Sequence, residues 1–358
     1  MTNRHIYFPA IDGLRFLAFL LVFFFHFNGF IVSNFLNKIG WTGVELFFLL
    51  SGFLLTRLLA VEQKQENTIQ LYKYFIRRVL RIWPLYFLYL LIIIILSLWI
   101  IKTPLSFPRL FGNIFFYDNI TIITNGFNHN LGSIHLWSLA LEEQYYLVLP
   151  FVIPWLVKLN RRRMNLFVLF TFLILVVFRY LLVREEFGYS LIYVLPFSGD
   201  SFLAGIILGI GNYDIFLKKI NSTVAFLIGV GLLGLLFLLP DRTVMNYNQV
   251  LIYFIPALAF TFIFISVVYA EKGWHYKLLS NKIIRYLGKI SFGLYLFHVL
   301  SNRFTHYIFY KFNKPVNEWG FIISLAITIL LAIFSYELFE KHFLKIKKKF
   351  TVIKNRDI

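Results

Sequence analysis

Residues 11–27 read IDGLRFLAFLLVFFFHF. The run is long and apolar enough to enter a bilayer, yet it carries Asp12, Arg15 and His26. Ionisable groups inside a span are costly unless they face a cavity or a partner, so all three are candidates for function. Eleven residues at 100° each put Arg15 and His26 about 20° apart on one helical face and roughly 16 Å apart along the axis. No small-residue cleavage site follows, so the segment reads as a retained first helix and not a signal peptide.

The rest of the chain repeats this pattern. Of 358 residues 59% are hydrophobic and 20% aromatic, with a mean hydropathy of +0.74, more apolar surface than a water-soluble core can hide. Ten apolar stretches, near residues 12–31, 43–60, 83–101, 136–157, 165–183, 190–211, 222–239, 249–270, 286–310 and 320–340, predict an all-α polytopic membrane protein. With the N-terminus inside, the inner segments hold 23 Lys and Arg, the outer segments 7 and the spans 5, an asymmetry that predicts both termini on the cytoplasmic side. The net charge of +18 therefore follows topology, and no nucleic-acid partner is implied. Absence of Cys excludes disulfides, thiolate metal sites and cysteine nucleophiles. Residues 1–345 form one membrane domain, and 346–358 a basic cytoplasmic tail suited to orientation and anionic lipid. YKYFIRRVLRIWP at 72–84 predicts a cytoplasmic amphipathic helix at the membrane surface. The outer loop at 102–135, rich in Pro, Gly and Asn, predicts irregular, solvent-facing chain.

The candidate chemistry lies in a few spans. In HLWSLALEEQYY at 135–146, His135, Ser138, Glu142 and Tyr146 share one helical stripe. Glu142 and His26 come out at similar depth, which predicts a general base and its orienting carboxylate. Glu143 points about 100° away from Glu142, toward another wall. Arg78 and Arg81, spaced i, i+3 beside Arg77, suit bidentate phosphate binding, and Arg15 enters from the same side. Glu45, Ser51 and Gly52 lie in the second span, with packing the simpler role for Ser51 and Gly52. Ser291, Tyr295 and His298 form a stripe in the ninth span, and Asp200 in the sixth has no assigned role. No metal is expected.

Taken together, Arg15-x10-His26 within DGLRFLA, GVELFFLLSGFLL at 43–55, Arg78-x-x-Arg81, HLWSLALEEQYY and SFGLYLFH at 291–298 resemble acyltransferase family 3, in this order over about 300 residues. The resemblance implies ten helices and transfer of an acyl group, usually acetyl, from cytoplasmic acyl-CoA to a hydroxyl of a cell-surface glycan or its lipid-linked precursor. It marks His26 as the catalytic residue, Arg15 as essential, Arg78 and Arg81 as donor-binding, and Glu142 as a site carboxylate. Some members append an extracytoplasmic SGNH hydrolase-like domain. None is expected fused to this chain, which leaves direct transfer or a separate extracytoplasmic transferase. Asp12, Glu45, Ser138 and His298 are further candidates. The competing classes are a carrier for a lipid-linked sugar or small anion, which would use the same buried charges as a pathway, and a non-enzymatic receptor or scaffold. Absence of an internal repeat and the arginine cluster count against the carrier.

Overall fold

In hydrocarbon every backbone polar group must be satisfied within its own segment, which leaves helices as the way for apolar stretches of this kind to cross. The computed structural model of the protein describes residues 7–27, 31–101, 106–125, 132–184, 195–240 and 247–353, and among them every regular element is helical. In chain order these are α1 (Pro9–His26), α2 (Ile31–Gly40), α3 (Thr42–Glu66), α4 (Leu71–Ile95), α5 (Phe107–Ile114), α6 (Asp118–Asn125), α7 (Trp137–Leu156), α8 (Arg161–Arg184) and α9 (Leu195–Ile210). There follow α10 (Asp214–Leu217), α11 (Ser222–Leu235), α12 (Gln249–Ile252), α13 (Phe254–Phe264), α14 (Trp274–Leu279), α15 (Lys282–Lys289), α16 (Ser291–Lys311), α17 (Glu318–Ser335) and α18 (Lys341–Lys348). Among the described residues six helices are long and apolar enough to span alone, and the α15–α16 pair, bent by 73°, makes a seventh. The 20-residue α7 and the shorter apolar α9 and α11 occupy the other three expected positions, completing an all-α polytopic membrane protein.

α3 runs through the centre of the bundle. One core cluster joins Leu14 and Ala18 of α1 to Leu49 and Phe53 of α3 and to Phe260 and Phe264 of α13. A second joins Tyr86 and Tyr89 of α4 to Leu139 and Leu149 of α7 and to Tyr295 of α16. Between apolar helices in lipid the attraction is close packing, so small residues matter at crossings. Gly52 is such a point: a Cβ there would lie 2.9 Å from the carbonyl oxygen of Phe202 on α9. The peripheral faces of α8 and α17 expose Leu166, Phe170, Leu173 and Phe334, as lipid contact requires.

The structure departs from the expected layout in four places. α1 ends at His26, so the histidine is its last residue and not part of a span running to 31. The amphipathic segment forms the first turns of α4 and continues into the third span through Pro84. The ninth span begins at Ser291, because α15, with Lys282, Arg285 and Lys289, is too polar to enter lipid and turns off at Ile290. Within the outer loop, α5 and α6 are ordered by a buried ion pair, Arg109 Nε and Nη2 donating to the two Asp118 carboxylate oxygens at 2.9 and 2.6 Å. Gln144 of α7 bonds the side chain of Asn119 and the carbonyl of Phe116, which fastens this pair of helices over the bundle.

Candidate active site

Two cavities meet inside the bundle. The outer, of about 150 Å³, is lined in part by Asp12, Arg15, Arg78, Arg81, Lys289 and Lys347. The inner, of about 80 Å³, is lined in part by Ser51, Ser138, Glu142, Tyr146, Ser291 and Tyr295. Arg15, Leu54, Leu55, Arg78 and Arg81 line both, so the arginines stand at the neck between them. This sorts the arginine run on α4. Arg77 faces away, bonding Glu62 at 3.3 Å and donating to the Phe350 carbonyl at 2.8 Å. Arg78 and Arg81, on the adjoining face, point into the cavities, and the Arg78 guanidinium lies 5.7 Å over the Tyr146 ring.

Inward from the neck, a polar ladder climbs the facing sides of α7 and α16. Glu142 accepts hydrogen bonds from Ser51 and Tyr146. One turn on, Ser138 Oγ lies 2.6 Å from the Tyr295 hydroxyl, which donates to the His135 carbonyl at 3.0 Å. Of the expected stripe of His135, Ser138, Glu142 and Tyr146, the last three bond along this ladder through their side chains, and Ser51 binds a carboxylate where packing was the simpler expectation. The expected pairing of Glu142 with His26 does not form. Because α1 stops at His26, the imidazole lies farther along the ladder than Glu142, and its partner is His298, another of the candidates.

Hydrogen-bond chemistry assigns the protons of these two rings. His298 Nδ1 lies 2.5 Å from the Tyr295 carbonyl, and a carbonyl only accepts, so Nδ1 carries hydrogen and Nε2 a lone pair. His26 Nδ1 lies 3.0 Å from the Val22 carbonyl and 3.3 Å from His298 Nε2, so it too carries hydrogen and donates to both acceptors. In the neutral ring the basic nitrogen of His26 is therefore Nε2, held in one orientation. His135 completes the group, its ring centroid 4.8 Å from that of His298. The histidine rings meet edge to face, and among the described residues no group of three ligating side chains is arranged for a metal.

The remaining candidates fall elsewhere. Asp12 is in the outer cavity, accepting from the Tyr7 hydroxyl at 3.2 Å. Glu45 accepts from Ser201 at 2.6 Å, in a separate buried cluster where Arg179 pairs with Asp200 at 2.6 Å and donates to the Val250 carbonyl at 3.0 Å. This cluster ties α3, α8 and α9 together, which gives Asp200 a role and takes Glu45 away from the cavities. Sequence reasoning missed Lys289, Lys347 and Lys348 in the outer cavity. Two of these belong to a basic run whose charge alone signals lipid.

Residues 8–337 match the family model described as an acyltransferase domain. Among relatives, O-acetyltransferase OatA of Staphylococcus aureus strain NCTC 8325 is 30% identical over 356 residues, covering 93% of this chain and 57% of the relative. A "Putative O-acetyltransferase" of strain COL is 27% identical over 363 residues, covering 95% and 58%. The chain thus spans a little over half the length of these relatives. No solved structure matches it.

Proposed function

From the premise that this chain belongs to acyltransferase family 3, we propose that it is a membrane O-acetyltransferase, moving an acyl group from cytoplasmic acyl-CoA to a hydroxyl of a cell-surface glycan or its lipid-linked precursor. The observation that carries the proposal is the succession of a cationic outer cavity, an arginine neck and an inner cavity whose polar lining leads through Tyr295 to His298 and His26. The donor chemistry fits each part. Arg15, Arg78 and Arg81 offer forked donors to the diphosphate, and the inner cavity is narrow, as an extended pantetheine arm requires. The roughly 16 Å from Arg15 to His26 along α1 is too long for one hydrogen-bonded site but suits a donor anchored at one end and reacting at the other.

In this mechanism His26 Nε2 takes the proton of the acceptor hydroxyl as its oxygen attacks the thioester carbonyl. Collapse of the tetrahedral intermediate breaks the carbon–sulfur bond, and the departing thiolate takes the proton back from His26. Tyr295 stands between the inner cavity and the histidines, its hydroxyl held by Ser138 and the His135 carbonyl. Glu142 fixes Tyr146 and, through that ring, the face presented to Arg78. With both termini cytoplasmic, the cationic cavity opens toward the cytoplasm and the histidines lie toward the extracytoplasmic side. The acceptor is acylated directly or through a separate extracytoplasmic transferase.

The test is mass spectrometry of surface glycans and lipids from cells with and without the chain, joined to CoA release by the reconstituted protein. An acetyl increment on a glycan that disappears with the chain supports the assignment. A carrier would leave the thioester intact and change only the location of its cargo.

A further inference from the structure

Six cations line the outer cavity against one carboxylate: Arg15 of α1, Arg78 and Arg81 of α4, Lys289 of α15, and Lys347 and Lys348 of α18, facing Asp12. Like charges brought together from four helices repel one another, and the repulsion grows as water is excluded, which favours a polyanion at this cavity. Lys347 is half-buried and Lys348 lies exposed at the rim of this cavity. Here the helix that carries them is fastened down. Leu344 is buried beside Tyr336 and Ile290, the Arg77 guanidinium donates to the Phe350 carbonyl at 2.8 Å, and the Phe350 ring meets that of Tyr72. Lys289 is held as well, its ammonium 4.9 Å from the Tyr336 ring centre.

The cations also differ in kind and in place. The three guanidiniums border both cavities, whereas the three lysines border only the outer one. Guanidinium forks match a diphosphate, and ammonium groups act as point charges suited to a terminal phosphomonoester. A coenzyme A donor has these two features in this order, the diphosphate nearer the thioester and the ribose 3′-phosphate farther out.

Building on the proposed acyl-CoA reading, we infer that Lys347 and Lys348, with Lys289 beside them, form a recognition site for the 3′-phosphate of the donor. The C-terminal helix is then part of the donor site, and the protein distinguishes coenzyme A from dephospho-coenzyme A.

The experiment crosses protein and ligand. Wild type, K347Q/K348Q and the control K345Q/K349Q, which makes the same charge change at exposed positions of the same segment, are reconstituted in zwitterionic nanodiscs. CoA release is measured with acetyl-CoA and with acetyl-dephospho-CoA, a cell-envelope extract serving as acceptor. Loss of charged hydrogen bonds to the phosphate predicts a wild-type preference for acetyl-CoA of roughly 30-fold in kcat/KM. That preference is expected to fall to about 3-fold or less in K347Q/K348Q and to persist in the control, with the dephospho donor used equally by all three. A wild type that does not discriminate, or a K347Q/K348Q protein that keeps the full preference, overturns the inference while leaving the acyl-CoA reading intact. Unchanged preference with weakened binding to phosphatidylglycerol vesicles assigns the lysines to headgroups and also overturns it. A wild type that consumes neither donor refutes the acyl-CoA reading itself, and this inference with it.

Discussion

Replacing His298 with Leu probes how the base is held. His298 is fully buried and its Nε2 accepts from His26 Nδ1 at 3.3 Å, while the Val22 carbonyl accepts from the same N–H at 3.0 Å. Leucine removes one of the two acceptors and leaves the other, so His26 keeps its tautomer but loses part of its orientation. A neutral hydrogen bond contributes about 0.5–1.5 kcal/mol net, a factor of roughly 2 to 13 in the population of the productive orientation. The expected result is a fall in kcat of about that factor with KM for acetyl-CoA unchanged, because His298 lies beyond the donor cavity. His298→Gln places an amide oxygen near the position of Nε2 and is expected to recover much of the loss. The assay is CoA release from acetyl-CoA in proteoliposomes with a cell-envelope extract as acceptor, each variant first checked for its melting temperature. If His298→Leu is as inactive as removal of a general base, a loss of about 10²–10⁴, then His298 carries the proton itself and the orienting role is wrong. Equal rates for Leu and Gln at wild-type level would show that the contact does not position His26.

Three further outcomes follow from particular contacts. A Cβ at Gly288 would lie 1.7 Å from the Asp12 carbonyl oxygen, so Gly288→Ala forces α15 off α1; a stability loss of about 1–3 kcal/mol is expected in thermal melts, with a raised KM for donor as Lys289 is displaced. Arg78→Gln is expected to raise KM for acetyl-CoA about tenfold while Arg77→Gln leaves it unchanged and lowers stability, since only the first faces the cavities; equal KM values for the pair contradict that division. Asp200→Asn leaves Arg179 buried with its charge uncompensated, and a loss of about 3–5 kcal/mol in stability with normal turnover per folded molecule is expected, read from melting and from activity of the surviving fraction.

The spans were legible because hydropathy and cation placement act over whole segments, and among the described residues six helices, with the bent α15–α16 pair as a seventh, stand where apolar stretches predict them. The arginine neck was legible for a related reason: Arg78 and Arg81 share one face of α4 by helical periodicity, and the direction of the spans brings Arg15 of α1 to the same end. The partner of His26 was not legible. Its depth depends on where α1 ends, and the five residues between His26 and the expected end at 31 are roughly 7 Å along the axis, enough to exchange Glu142 for His298. Helical spacing puts His298 on the stripe of Ser291 and Tyr295, but which helix that stripe faces is set by tertiary packing. The lysines of α18 were hidden by composition, because a basic run after the last span looks the same whether its side chains meet lipid or line a cavity. Arg109 and Asp118 were hidden in the same way, since a Pro- and Gly-rich stretch gives no sign that one buried ion pair will order it.

The most direct test of the account measures donor binding and acyl transfer side by side in His26→Ala. The cationic cavity and the arginine neck are untouched by this change, so affinity for acetyl-CoA, measured with the reconstituted protein, is expected to match wild type, while transfer to glycan falls by about 10²–10⁴. Normal transfer by folded His26→Ala protein would contradict the assignment of His26 as the base.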